Sequence, residues 1–140
     1  MPSGKKKIEN AKKNKKAIQA GAVTCAMQLN FAGGQTTGHG FSTTKSCAEP
    51  DGHKQALAAL KGKKVITSIR SVQNEWPCEN CKAFFESKNI QVDVVVTPRS
   101  GSNVYFTHWV TAGVIPVGHT PTNGLTLRYA GGTWQAGHLA

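Results

Sequence analysis

The chain has 140 residues, 39% of them apolar, and carries 17 Lys and Arg against seven Asp and Glu, a formal charge of +10. That is enough sequence for one domain with a core of its own, and no apolar run approaches the roughly 20 residues of a membrane span, so no membrane partner is expected. The basic start, Met1-Pro2-Ser3-Gly4-Lys5-Lys6-Lys7, leads into no apolar stretch and is not a secretory signal. The same features would be found in the last domain of a longer exported protein.

Seven lysines and one acid, Glu9, lie in the first 16 residues, a local +6 that leaves +4 on the remainder. Such charge attracts phosphate backbones through counterion release and makes nucleic acid the expected partner. A solubilising arm is the plainer alternative. Residues 1–20 are read as a basic arm with a short helix over Ile8–Ala20, ended by Gly21. Residues 21–140 are read as the folded domain.

Val23–Phe31 alternates as a strand, with Val23, Cys25, Met27, Leu29 and Phe31 on one face. Ala32-Gly33-Gly34-Gln35 is a hairpin turn, and Thr36–Thr44 returns as a second strand loosened by Gly38 and Gly40. Ser46 then caps a helix from Cys47 to about Lys61, with Ala56, Leu57, Ala59 and Leu60 as its apolar stripe and Gly62 as its stop. Val65–Val72 is a third strand. Pro77 opens a helix from Cys78 to about Lys88 whose Ala83, Phe84 and Phe85 face inward. Ile90–Thr97, dense in valine, is a fourth strand, and the aromatic, β-branched run Val104–Val110 is a fifth. Short strands are expected at Val114–Val117 and Leu125–Tyr129. This order predicts a three-layer α/β/α sandwich around a mixed sheet.

The four cysteines allow two disulfides or a metal site. Cys78 and Cys81 stand at Cys-x-x-Cys spacing, Cys47 lies 31 residues upstream, and Cys25 sits in the first strand. With no export signal, that spacing favours metal. Cys47-Ala48-Glu49 and Pro77-Cys78-Glu79-Asn80-Cys81 each begin a helix, where the dipole favours thiolate. Three thiolates can hold Zn²⁺ and leave a fourth position open, with Glu49 placed to relay protons without binding metal. A closed structural zinc site, with Cys25 or a histidine as fourth ligand, is the competing reading. The chain would then be a non-catalytic, zinc-stabilised nucleic-acid-binding module in which Glu49 has no task.

A Cys-x-Glu followed by Pro-Cys-x-x-Cys is the signature of zinc-dependent nucleobase deaminases. On those residues the chain resembles the cytidine deaminase-like superfamily, and within it the deaminase domains of bacterial polymorphic toxins, YwqJ-like or related. The resemblance implies a five-stranded mixed sheet with an antiparallel hairpin of the fourth and fifth strands. It also implies hydrolytic loss of an exocyclic amine, cytosine before adenine, with Glu49 passing a proton to the ring nitrogen. The backbone at Ala48 and Trp76 would hold the base. Asn30 and Phe31 fall where relatives contact base or sugar, Trp76 resembles an aromatic of the nucleic-acid-editing members, and His39, on a rim loop, would reach base or phosphate. For each the plain alternative is structural: a turn Asn, a core Trp, a solvated His. His53 is either a neighbour of the site or a surface residue, and His108-Trp109 a gating pair or packing.

The expected substrate is nucleic acid, DNA before RNA and single strand before duplex. A deaminase of free nucleosides would account for the motif but not the charge. A toxin domain would act in a target-cell cytoplasm and be held by a cognate immunity protein.

Overall fold

In a computed structural model that describes residues 23–42, 47–98 and 104–138, period-two burial and helix-spaced burial divide the described residues into nine elements. The basic arm and Ser46 with its expected cap lie outside the described residues. Strands are β1 (Thr24–Phe31), β2 (Gly34–Phe41), β3 (Ile66–Gln73), β4 (Gln91–Val96), β5 (Leu125–Ala130) and β6 (Thr133–Gly137). Helices are α1 (Ala48–Ala58), α2 (Glu79–Glu86) and α3 (Val104–Thr111). No helix among the described residues is long and apolar enough to cross a membrane.

The sheet runs β2-β1-β3-β4-β5-β6. Only β3 and β4 are parallel, joined by the α2 crossover that a parallel pair requires; every other neighbour is antiparallel. Cys25, Met27 and Leu29 of β1 stand in register with Gln73, Ser71 and Ile69 of β3. Those align with Val96, Val94 and Val92 of β4, and all nine are buried. This is the helix-bearing face. It meets α1 through Gly52, where an added Cβ would come within 2.7 Å of Cys25 Sγ. Further along, Trp134 of β6 on the same face donates to Glu86 of α2 and packs on Trp109 of α3. The opposite face carries polar cross-strand pairs, notably Arg128 bidentate on Asp93 at 2.7 and 3.0 Å. Among the described residues, then, helices form one layer on one side of the sheet.

Four expectations need correction. Val104–Val110 is not a strand: Phe106, Trp109 and Val110 pack at spacings of three and four, so the run is α3 and covers the core as a helix. The antiparallel partner of β4 is instead Leu125–Ala130, reached through α3 and a loop, so the expected β4–β5 hairpin is absent. A sixth strand follows. Ala130 pairs with Thr133 across Gly131 and Gly132, both at positive φ, the conformation a tight hairpin turn needs. Val114–Val117 forms turns in which Ile115 is buried and Val117 is open.

The stripe of α1 also differs from expectation. Its buried residues are Ala48, Glu49, Gly52 and Ala56, while Leu57 is exposed. The reason lies in β2. A Cβ at Gly38 would strike the backbone of Ala56, Gly52 and Gln55, and one at Gly40 the backbone of Ala48 and Gly52. Gly38 and Gly40 therefore do not loosen the strand. They let α1 lie directly on it.

Candidate metal and active site

Both thiol-bearing helices start at the same end of the sheet, where β3 and β4 finish and β5 begins, the end at which open α/β sheets present their sites. Cys47 is the N-cap of α1 and Cys78 the N-cap of α2. Both have extended backbone, and neither side chain makes a cap hydrogen bond. An N-cap side chain ordinarily turns back onto its own helix. Here the two thiols turn toward each other, their Sγ atoms 3.6 Å apart, and Cys81 on the first turn of α2 completes the group. All three sulfurs lie within 4.8 Å of one another.

That spacing fits a metal better than a covalent bond. A disulfide needs about 2.05 Å, whereas thiolates on a tetrahedral Zn²⁺ at about 2.3 Å stand roughly 3.8 Å apart. Burial pushes the Cys47 and Cys81 thiols upward, and the Glu49 carboxylate adds to the rise at both. Thiols so placed keep their protons unless a cation compensates three converging charges. Cys25 does not join them: it is buried, donates its thiol to the Ala48 carbonyl at 3.2 Å, and is raised to about 12 chiefly by burial.

Glu49 is 3% exposed and follows Cys47 by two residues, within hydrogen-bonding reach of the Cys81 thiol. Burial raises its pKa against a lowering hydrogen bond from Gln73. Gln73 Nε2 donates to Glu49 Oε2 at 3.1 Å and to the Glu75 carbonyl at 2.9 Å, and Gln73 Oε1 accepts from Ser71 Oγ at 2.8 Å.

The second thiol helix is seated on aromatics. Trp109 Nε1 donates to the Pro77 carbonyl at 2.7 Å, just ahead of Cys78. Trp76 is 1% exposed, donates through Nε1 to the Pro121 carbonyl, and packs against Phe106 and His119. It is a core residue with its ring already occupied by protein, although its backbone flanks the thiols. Ala48 likewise flanks them and is fully buried.

Three expected pocket residues lie elsewhere. Asn30 and Phe31 are five and six residues along β1 from Cys25, roughly 17 and 20 Å at strand rise. Asn30 faces away from the helices and donates to Ser68 Oγ, while Lys64 Nζ stands over the Phe31 ring. His39 is a strand residue of β2, not a rim loop, on the face opposite Gly38 and Gly40. Packing decided each: period-two alternation put Asn30 and His39 on the far face. His53 packs edge-on against Phe84 between α1 and α2, and His108 Nδ1 lies 3.7 Å from Glu79 Oε1.

Sequence reasoning passed over Gln73, although a glutamine at an inward strand position four residues before Pro77 was a signal. It also passed over Tyr105. That residue is 40% exposed on α3, and its phenol is raised by burial and then by the neighbouring Cys78 and Cys47.

No protein-family model and no curated protein matches the chain. Among solved structures it is similar to a cytidine deaminase from Burkholderia pseudomallei at 22% identity, covering 72% of this chain and 89% of that one, with a TM-score of 0.41.

Proposed function

We propose that the chain is a zinc-dependent hydrolase that deaminates a nucleobase, cytosine first, within nucleic acid. The observation that carries this reading is what stands beside the three thiols: a buried carboxylate, Glu49, within hydrogen-bonding reach of Cys81, held by the Gln73 amide and bound to no Lys or Arg among the described residues, while the fourth sulfur, Cys25, is engaged by the Ala48 carbonyl. A structural site closes its fourth position with a protein ligand, and a catalytic one leaves it open.

Cys47, Cys78 and Cys81 would hold the Zn²⁺, which when bound makes water a nucleophile near neutral pH. Glu49 would serve as the proton carrier at this position, supplying a proton to the ring nitrogen and a second one to the departing amine. One C–N bond breaks, one C=O forms, and ammonia leaves. The Ala48 and Trp76 backbones flank this position and would orient the base. Tyr105, on the exposed side, is the aromatic best placed to meet it.

The charge of +10 supports a polyanionic substrate. DNA stands ahead of RNA, and single strand ahead of duplex because an open strand needs no base flipping. Of the body's lysines, Lys82 is paired with Glu86, and Lys61, Lys63 and Lys64 are exposed on the α1–β3 connection. A role as a toxin domain, neutralised by an immunity protein, belongs to the same reading through the motif's resemblance.

The test incubates zinc-loaded protein with single-stranded DNA, duplex DNA and RNA and sequences the products. C-to-T changes in single-stranded DNA are expected, and Glu49→Ala should abolish them while keeping about one zinc per chain. X-ray absorption should find three sulfurs and one light atom. Four sulfurs, or an active Glu49→Ala, would overturn the reading.

A further inference from the structure

Gln73 has no polar atom left over. Its Nε2 donates both to Glu49 Oε2 and to the Glu75 carbonyl, and its Oε1 accepts from Ser71 Oγ. Gln73 is 3% exposed, Ser71 0% and Glu49 3%, so water does not substitute for any of these bonds. The set also fixes which way the amide points. Exchanging its oxygen and nitrogen would aim Oε1 at two acceptors, the Glu49 carboxylate and the Glu75 carbonyl.

Glu49 needs such a partner. Its Cα is fixed by the first turn of α1, but a glutamate has three side-chain torsions, and among the described residues no Lys, Arg or His pairs with it. Beside the Cys81 thiol and the first-turn amide of α1, the Gln73 bond is the tether that ties the far end of this side chain to the sheet. The same nitrogen holds the Glu75 carbonyl, at the start of the turn that delivers Trp76, Pro77 and Cys78. Gln73 thus spans the two halves of the site, the carboxylate of α1 and the approach to α2.

We infer that Gln73 is a positioning residue, locked by Ser71, whose amide sets where the Glu49 carboxylate stands relative to the thiols. Its role in turnover rests on the reaction proposed above; its geometry does not. Misplacing a reacting group by an ångström costs on the order of 100-fold in rate. Gln73→Met keeps the length and removes the three side-chain hydrogen bonds. It should lower kcat about 10- to 100-fold, move KM less than about threefold, and keep the zinc. Ser71→Ala, which frees the amide without removing it, should lower kcat by about three- to tenfold and serves where Gln73→Met does not fold.

A readout independent of turnover is the side-chain NH₂ of Gln73 by ¹⁵N NMR. Both protons should exchange slowly with solvent, and Glu49→Ala should shift one and spare the other, which stays on the Glu75 carbonyl. An active wild type whose Gln73→Met or Ser71→Ala variant retains kcat within about twofold overturns the positioning role, as does a freely exchanging amide. A wild type that deaminates nothing, yet shows the protected amide, overturns the proposed reaction and leaves the hydrogen-bond geometry standing.

Discussion

The first turn of α1 lies against strand backbone, whereas the first turn of α2 rests on aromatic side chains. At α1, Gly38 and Gly40 of β2 admit the helix so closely that a single Cβ would strike its main chain. At α2, the Pro77 carbonyl hangs from the Trp109 indole, and Trp76 is wedged between Phe106 and His119. Backbone contact leaves no side chain to repack, whereas aromatic packing can relax. The half that carries the carboxylate is therefore the rigid one, and the half that carries two of the three thiols tolerates change.

Gly40→Val should break the molecule at the rigid half. Its Cβ meets the Ala48 carbonyl and the Gly52 amide, neither of which can move without displacing α1. We expect a loss of about 3 kcal/mol or more in denaturant unfolding, accompanied by loss of zinc uptake. A Gly40→Val protein as stable as the wild type would show that the helix does not need its bed.

Trp109→Phe probes the other half. It removes the indole donor and leaves the Pro77 carbonyl without it, in a ring cluster that also touches Trp134 at 4.9 Å. The expected cost is about 2 kcal/mol, with zinc still bound at about one per chain. Loss of zinc without loss of fold would reverse the comparison, because α2 would then be the half that holds its thiols by the narrower margin.

How these features read in sequence follows from their range. Cys25, Met27 and Leu29 announced a buried strand face because alternation is local. The thiols and Glu49 stood out because their spacing is itself chemistry. Val104–Val110 misled because β-branched and aromatic residues favour strands on average, while the position of this run, beside Trp76 and Trp134, made helical packing of Phe106 and Trp109 the better burial. Gly38 and Gly40 read as weakness because nothing local reveals a helix arriving from 10 residues downstream. Asn30 and Phe31 stand at the far end of β1 from Cys25, the end that adjoins the thiols, and alternation within a strand does not reveal which of its ends meets a site. The Gly131-Gly132 pair between Tyr129 and Trp134 was a readable hairpin signal that was passed over.

The smallest expected effect lies at the far end of α2, where Glu86 Oε2 accepts from Lys82 Nζ at 2.9 Å and from Trp134 Nε1 at 2.8 Å. Burial alone would raise this carboxyl, but the Lys82 and Trp134 bonds outweigh it and hold its pKa below the ordinary value. A depressed pKa means that the folded state binds the proton less tightly than the unfolded chain does. The stabilisation is therefore present above the unfolded value and lost as pH falls through the folded one. Glu86→Gln keeps an oxygen for Trp134 and removes only the charge. Because the pair is partly open to solvent, the cost at neutral pH should stay below about 1 kcal/mol, a Tm drop of roughly 3 °C or less. Thermal melts of both proteins should converge as the pH is lowered past the carboxylate range, whereas the Trp109→Phe deficit should persist there. A Glu86→Gln deficit that survives in acid would mean that Trp134 docks by shape and not by charge, and α2 would then be seated by packing along its whole length.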